Sequence, residues 1–156
     1  MVIWLYHIKC SRDDVNPYII ICGSPTRAKY ISTLLDNSKL VTDHRGYHVY
    51  SGSYSDVPIT VASVGIGGPS LAIAVEELIK LGGKVFIRLG TCGSLQPYVK
   101  NNDLIVVTGA VRDEGTSRQY IPLEYPAIAD PDIVYYLTSS CKKFNAKFHI
   151  GICHSK

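Results

Sequence analysis

The sequence predicts an α/β fold, a single domain with a central, twisted, mixed but largely parallel sheet flanked by helices. Three observations predict it. Tyr18-Ile19-Ile20-Ile21-Cys22 is a continuous, largely β-branched run, and Val85-Phe86-Ile87 reads as a strand buried on both faces, the signature of parallel sheets. Between them lie segments whose apolar residues recur at helical spacing, and strands alternating with helices imply crossover connections. The chain of 156 residues has the length of one domain, spanning residues 1–156, and can bury a sizeable core.

The first strand stops at Gly23. Ser24 is a good N-cap and Pro25 suits the first helical position, so a helix is expected from Pro25 to Asn37 with Ala28, Ile31, Leu34 and Leu35 inward. From Val41 to Ser63 the pattern alternates. Residues 47–54 and 58–62 read as two strands of a hairpin, with turn residues at Tyr54-Ser55-Asp56. Gly65-Ile66-Gly67-Gly68-Pro69-Ser70 then opens a helix at Pro69, with an apolar face of Leu71, Ala74, Val75, Leu78 and Ile79, ended by Gly82-Gly83. The spacing is not G-x-G-x-x-G, because Ser70 stands where the third glycine would, so a dinucleotide-binding reading is disfavoured.

The run KVFIRLGTCG, Lys84 to Gly93, supplies the next strand and a glycine loop. Asp103 to Thr108 is another buried strand. A long irregular stretch follows from Val111 to Asp130, of a length that marks a lid, a binding loop or a partner contact. Asp130-Pro131 caps a helix with Ile133, Val134, Leu137, Cys141 and Phe144 on one face, and Ala146 to Cys153 is the last strand.

Composition excludes several classes. A net charge of +3 without a Lys/Arg block asks for neither nucleic acid nor an anionic membrane. The apolar runs are too short to span a bilayer, and the N-terminus MVIWLYHIKC has no signal-peptide pattern, so a cytoplasmic protein is expected. Cysteines at 10, 22, 92, 141 and 153 are odd in number and lack C-x-x-C spacing, against a disulfide framework or a zinc site. They read as small buried hydrophobes, except Cys92 in the glycine loop, which is not read as a nucleophile.

One run invites chemistry. Arg88 is a fixed charge at the end of a buried strand and needs an anion, either a ligand or a structural Asp or Glu. Gly90 and Gly93 let backbone amides approach a ligand, and Thr91 offers a hydroxyl. The turn at Gly23 joins a strand to a helix N-terminus, a ready anion site. Arg27 in that helix's first turn opposes the dipole; it holds an anion or stands as a solvated surface charge. Arg45, in Asp43-His44-Arg45-Gly46, reads by itself as a surface loop residue.

Together, CGSPTRAKYI, DHRGY, VGIGGPSLAIAVEEL, VFIRLGTCGSLQPYV, NDLIVVTGAVRDEG and IPLEYPAIADPDIV resemble the nucleoside phosphorylases of the purine nucleoside and uridine phosphorylase type. GAVRDEGTSRQYIPLEYPAIAD is closer to the uridine branch. The resemblance implies phosphorolysis of a nucleoside to free base and ribose 1-phosphate, by phosphate attack at the anomeric carbon. It implies that Gly23, Arg27, Arg88 and Thr91 hold the phosphate, that catalysis rests on Arg88, and that Thr91 also touches the ribose. Cys92 and Gly93 fall on the base side. Arg45, to the phosphate, and His7, to the ribose, reach into a neighbouring subunit's site, within a homodimer or a hexamer of dimers. Inorganic phosphate is the co-substrate, with no cofactor and no metal.

The sequence departs from this family in three places. Family members continue past the last residue with a base-gripping segment, a Met-Glu type acid that holds the ribose and, in the purine branch, an Asp. A C-terminally truncated, incomplete subunit that retains phosphate binding and oligomer contacts is therefore the alternative, with weak or absent turnover. Ser24 replaces the usual Asp of the first loop, and Gly46 replaces an acid linked to a monovalent-cation site.

Overall fold

The computed structural model describes residues 4–156, which divide into two compact units, one ending at Thr91 and one beginning at Cys92. The α/β class with mixed sheets flanked by helices is as expected, with one sheet in each unit.

The first unit runs β1 (Tyr18–Cys22), α1 (Pro25–Ser32), β2 (Asp36–His44), β3 (Tyr47–Tyr54), β4 (Val57–Ser63), α2 (Gly68–Lys80) and β5 (Val85–Arg88). Its sheet has the order β2-β3-β4-β1-β5, parallel in β4-β1-β5 and antiparallel in β2-β3-β4. Side chains alternate across β1. Ile19 and Ile21 join a core with Ala74, Leu78 and Leu81 around α2, while Cys22 joins Ala28 and Ile31 of α1, Val61 and Tyr50. Burying each large aliphatic side chain contributes about 1.5 to 3 kcal/mol, so the two clusters fix both helices on the sheet.

Three expectations are corrected here. The helix α1 stops at Ser32, not Asn37, and Leu34 is exposed. Ser32 Oγ donates to the Lys29 carbonyl at 2.8 Å and Thr33 Oγ1 to that of Tyr30 at 2.7 Å, so hydroxyls compete for the carbonyls that would continue the helix. The residues released form β2, which the alternation rule passed over. Its pairing to β3 shifts between Asp36 and Lys39 and again between Leu40 and Thr42, which breaks the two-residue period. Finally, β5 is not buried on both faces: it is the outermost strand of its sheet, with Val85, Phe86 and Ile87 half-buried.

The second unit runs β6 (Leu104–Arg112), β7 (Ala127–Ile128), α3 (Pro131–Lys143) and β8 (Phe148–Ser155), with strand order β7-β6-β8 and β6 parallel to β8. Asp130 caps α3, accepting from the amides of Asp132 at 3.0 Å and Ile133 at 3.1 Å. Phe144 leaves the apolar stripe expected of α3 because it is the C-cap residue, and it is exposed. The strand β6 runs four residues past Thr108 because parallel pairing to β8 resumes after a register shift between Val107 and Gly109. The long irregular stretch is pinned from within. Arg112 donates to the carbonyls of Ile121, Pro122 and Tyr125, and the Glu114 carboxylate accepts from the amides of Thr116 and Ser117.

Candidate active site

Parallel pairing sets β4, β1 and β5 side by side with their carboxyl ends on one edge: Cys22 lies opposite Ser63, and Ile21 opposite Arg88. In open α/β sheets that edge is where ligands bind. The ladder extends past the strands, with Val64 N donating to Cys22 O at 2.9 Å and Leu89 N to Ile21 O at 2.7 Å. The loops after β1 and β4 therefore run in contact. A Cβ on Gly23 would stand 3.2 Å from the Gly65 carbonyl oxygen, so the first turn has no room for a side chain without a shift. Ser70 fastens the second loop: its hydroxyl donates to the Val64 carbonyl, and Tyr47 OH donates to the Ser70 carbonyl at 3.2 Å. The serine that replaces a third glycine is thus a local tie.

Arg27 and Arg88 arrive at this edge from different elements. Arg27 sits in the first turn of α1, its amide donating to the Ser24 Oγ cap at 3.4 Å. Arg88 ends β5, and its guanidinium folds back over Gly90, where a Cβ would collide with it. Both cations act on the Cys22 thiol. Burial pushes that thiol's pKa up, while the Ser24 backbone contact and the charges of Arg27 and Arg88 pull it down, for a net rise. Among the described residues, neither guanidinium has a carboxylate within 4.0 Å. Among the described residues the fold supplies no structural acid for Arg88, and its side chain is exposed at the end of an outer strand, so solvent meets the charge that was expected at a buried strand end. Both side chains thus bear on a thiol one residue before Gly23, at the edge where α1 begins. Thr91, in the same loop as Arg88, is exposed.

His7 and Arg45 come together in a second cluster, around Tyr6. The His7 ring meets the Tyr6 ring edge-on with centroids 5.0 Å apart. The Arg45 guanidinium lies over the other partner of that pair, Tyr6, and Arg45 occupies the exposed turn between β2 and β3 at φ +52°. Behind His7 stands Glu77 of α2, which sequence reasoning missed. Its carboxylate accepts from the amides of His7, at 3.1 Å, and Ile8, at 2.8 Å, and bonds His7 Nδ1 at 2.6 Å. Burial raises the Glu77 pKa, but the Ile8 and His7 contacts outweigh it and hold the carboxyl below the usual range. The signal was an acid three residues after Ala74 and one before Leu78, on the otherwise apolar inward stripe of the helix.

Cys92 and Gly93 begin the second unit and are exposed, and a Cβ on Gly93 would meet nothing within 4 Å among the described residues. All five cysteines are free; Cys10 and Cys22 are buried, whereas Cys141 and Cys153 are only half-buried. Among the described residues no group of three His, Cys, Asp or Glu is placed to hold a metal ion, and no helix is long and apolar enough to cross a membrane.

A family model described as the phosphorylase superfamily matches residues 17–156. The uridine phosphorylase of Thermococcus kodakarensis is 45% identical over 150 residues, covering 96% of this chain and 54% of that protein. The guanosine phosphorylase of Halorubrum lacusprofundi is 41% identical over 145 residues, covering 93% of this chain and 60% of its own length. The crystal structure of uridine phosphorylase from Vibrio fischeri superimposes with a TM-score of 0.93 at 40% identity, covering 96% of this chain and 62% of that one. The chain thus spans little more than half the length of the curated relatives it matches.

Proposed function

Since the chain belongs to the phosphorylase superfamily, we propose that it performs phosphorolysis of a ribonucleoside, uridine in the first instance, releasing the free base and ribose 1-phosphate. The observation that supports the reading is that Arg27 and Arg88, from separate elements, both bear on the Cys22 thiol one residue before Gly23, with no acid at either guanidinium among the described residues.

In this reading the phosphate oxygens take hydrogen bonds from Arg27, Arg88, the Thr91 hydroxyl and the amide at Gly23. A phosphate oxygen bonds to the anomeric carbon as the C–N bond breaks, and the bonding pair leaves with the base. Positive charge that builds on the ribose ring faces the phosphate dianion, which the guanidinium groups keep in place. Positioning and electrostatics do the work, with no covalent enzyme intermediate. Inorganic phosphate is the co-substrate, and neither cofactor nor metal takes part. Cys92 and Gly93 border the base. Arg45 and His7 serve the site of a neighbouring subunit, Arg45 at the phosphate and His7 at the ribose, in a cytoplasmic homodimer or a hexamer of dimers. The relatives are themselves phosphorylases, which favours turnover over a subunit that only binds phosphate.

Each charge-assisted hydrogen bond contributes about 1.5 to 3 kcal/mol. Calorimetric titration of phosphate into the protein and into Arg88→Ala, with uridine phosphorolysis followed alongside, is the test. A loss of at least about tenfold in phosphate affinity supports the reading. Equal affinity in both proteins removes Arg88 from the site.

A further inference from the structure

We infer that Glu77 is the positioning residue of His7: it fixes the imidazole with Nδ1 protonated, so that Nε2 is left as the hydrogen-bond acceptor for a ligand hydroxyl. For its functional side this rests on the reading of His7 as a ribose contact; for its structural side it rests on geometry alone.

The carboxylate belongs to a residue that is only 8% exposed, on the core-facing stripe of α2. A buried charge there is retained only where donors satisfy it. Three donors do so, all from Tyr6's C-terminal neighbours: the amides of His7 and Ile8, and His7 Nδ1. The amide bonds alone would suffice to latch residues 7 and 8 onto α2. The ring bond does something else. A carboxylate held below its ordinary pKa has no proton to give, so the hydrogen between it and Nδ1 resides on the imidazole. With Nδ1–H committed, the neutral ring has its lone pair on Nε2. The side chain of His7 is 39% exposed while that of Glu77 is 10% exposed, so the fixed end of the ring is the buried one. The Tyr6 ring, edge-on at 5.0 Å, restricts the remaining rotation. A ribose hydroxyl, which donates, fits the acceptor that this arrangement prepares.

The test is the tautomer of His7, read from the nitrogen shifts and long-range couplings of the histidine-labelled protein at about pH 8, where an ordinary imidazole is neutral. The His7 signals are identified by their loss in His7→Ala. The wild-type ring is expected as the Nδ1–H form, and Glu77→Gln is expected to shift it toward Nε2–H, since one amide oxygen cannot serve three donors. A wild-type ring in the Nε2–H form overturns the inference, and that measurement needs no variant to fold. In kinetics, Glu77→Gln is expected to raise the uridine KM about tenfold with a smaller change in kcat, and to add nothing in a His7→Ala background. Full, additive effects of the two substitutions overturn it. If the tautomer depends on Glu77 while His7→Ala leaves uridine kinetics unchanged, the positioning stands and the ribose role of His7 falls.

Discussion

The Arg45 guanidinium lies 4.9 Å from the centre of the Tyr6 ring and donates to its hydroxyl at 3.1 Å. Arg45 is exposed at the tip of a turn, and among the described residues the Tyr6 hydroxyl is the hydrogen-bond partner of its guanidinium. An exposed cation–π contact contributes about 0.5 to 1 kcal/mol, and the hydroxyl bond a similar amount. Tyr6→Leu is therefore expected to raise the phosphate KM about three- to tenfold, and Tyr6→Phe less, because the ring remains. Steady-state kinetics at varied phosphate decides it. Identical KM values in all three proteins would mean that Arg45 is not steered by Tyr6.

Gly23→Ala tests the close approach of the two loops. The added Cβ would sit 3.2 Å from a backbone oxygen of Gly65, which has to give by a few tenths of an ångström. Expected are a destabilisation of about 1 kcal/mol by thermal unfolding and a weaker hold on phosphate, because the amide at residue 23 moves with the loop. Unchanged phosphate affinity in a variant with a lowered Tm would separate the loop's packing from ligand contact.

What could be read along the chain was what local chemistry decides. Ser24 with Pro25, and Asp130 with Pro131, announced both helix starts, because a cap acts on amides two or three residues away. Arg27 could be marked before its element was assembled, since a cation at a helix N-terminus is anomalous by itself, whereas Arg88 was marked on an expected burial that the outer position of β5 does not provide. The rest depended on partners distant in sequence. Nothing within residues 36–44 says that β3 will accept them with two register shifts, and nothing in β5 says that it will be the outermost strand of its sheet among the described residues. Glu77 went unmarked because its donors lie some seventy residues earlier, and a single acid in an apolar stripe is ordinary until those donors are seen.

Asp103 provides a pH dependence in the second unit. Its carboxylate accepts from the Lys100 amide at 2.9 Å, and from His149 Nε2 and Lys147 Nζ, each at 2.9 Å. These contacts, the Lys100 bond foremost, hold the carboxyl well below the usual carboxylate range. A depressed folded-state pKa contributes stability that is present above the unfolded pKa, about 3.9, and lost as pH falls through the folded one. Asp103→Asn is thus expected to be less stable than the wild type at neutral pH, with the gap closing below about pH 4. Denaturant unfolding measured from neutral to acid pH checks this. A gap that stays constant into acid would show that the carboxylate's charge is not what stabilises.

Thiol chemistry tests the base side of the proposed site. Only the thiolate reacts at a useful rate, so both access and pKa decide which cysteine is labelled. Cys10 is fully buried, and its thiol is pushed up to about 12 by burial, with the Asp14 and Glu77 charges adding to the rise. Cys22 is equally buried and also raised, even with Arg27 and Arg88 nearby. Cys92 is the exposed one of the five, one residue after Thr91. A disulfide reagent in the native protein is expected to label Cys92 first, and Cys10 and Cys22 only after unfolding. If Cys92 borders the base, uridine together with phosphate should slow its labelling several-fold, while phosphate alone should slow it less. Peptide mass spectrometry of timed samples assigns the site, and a Cys92 rate indifferent to both ligands would place the base elsewhere.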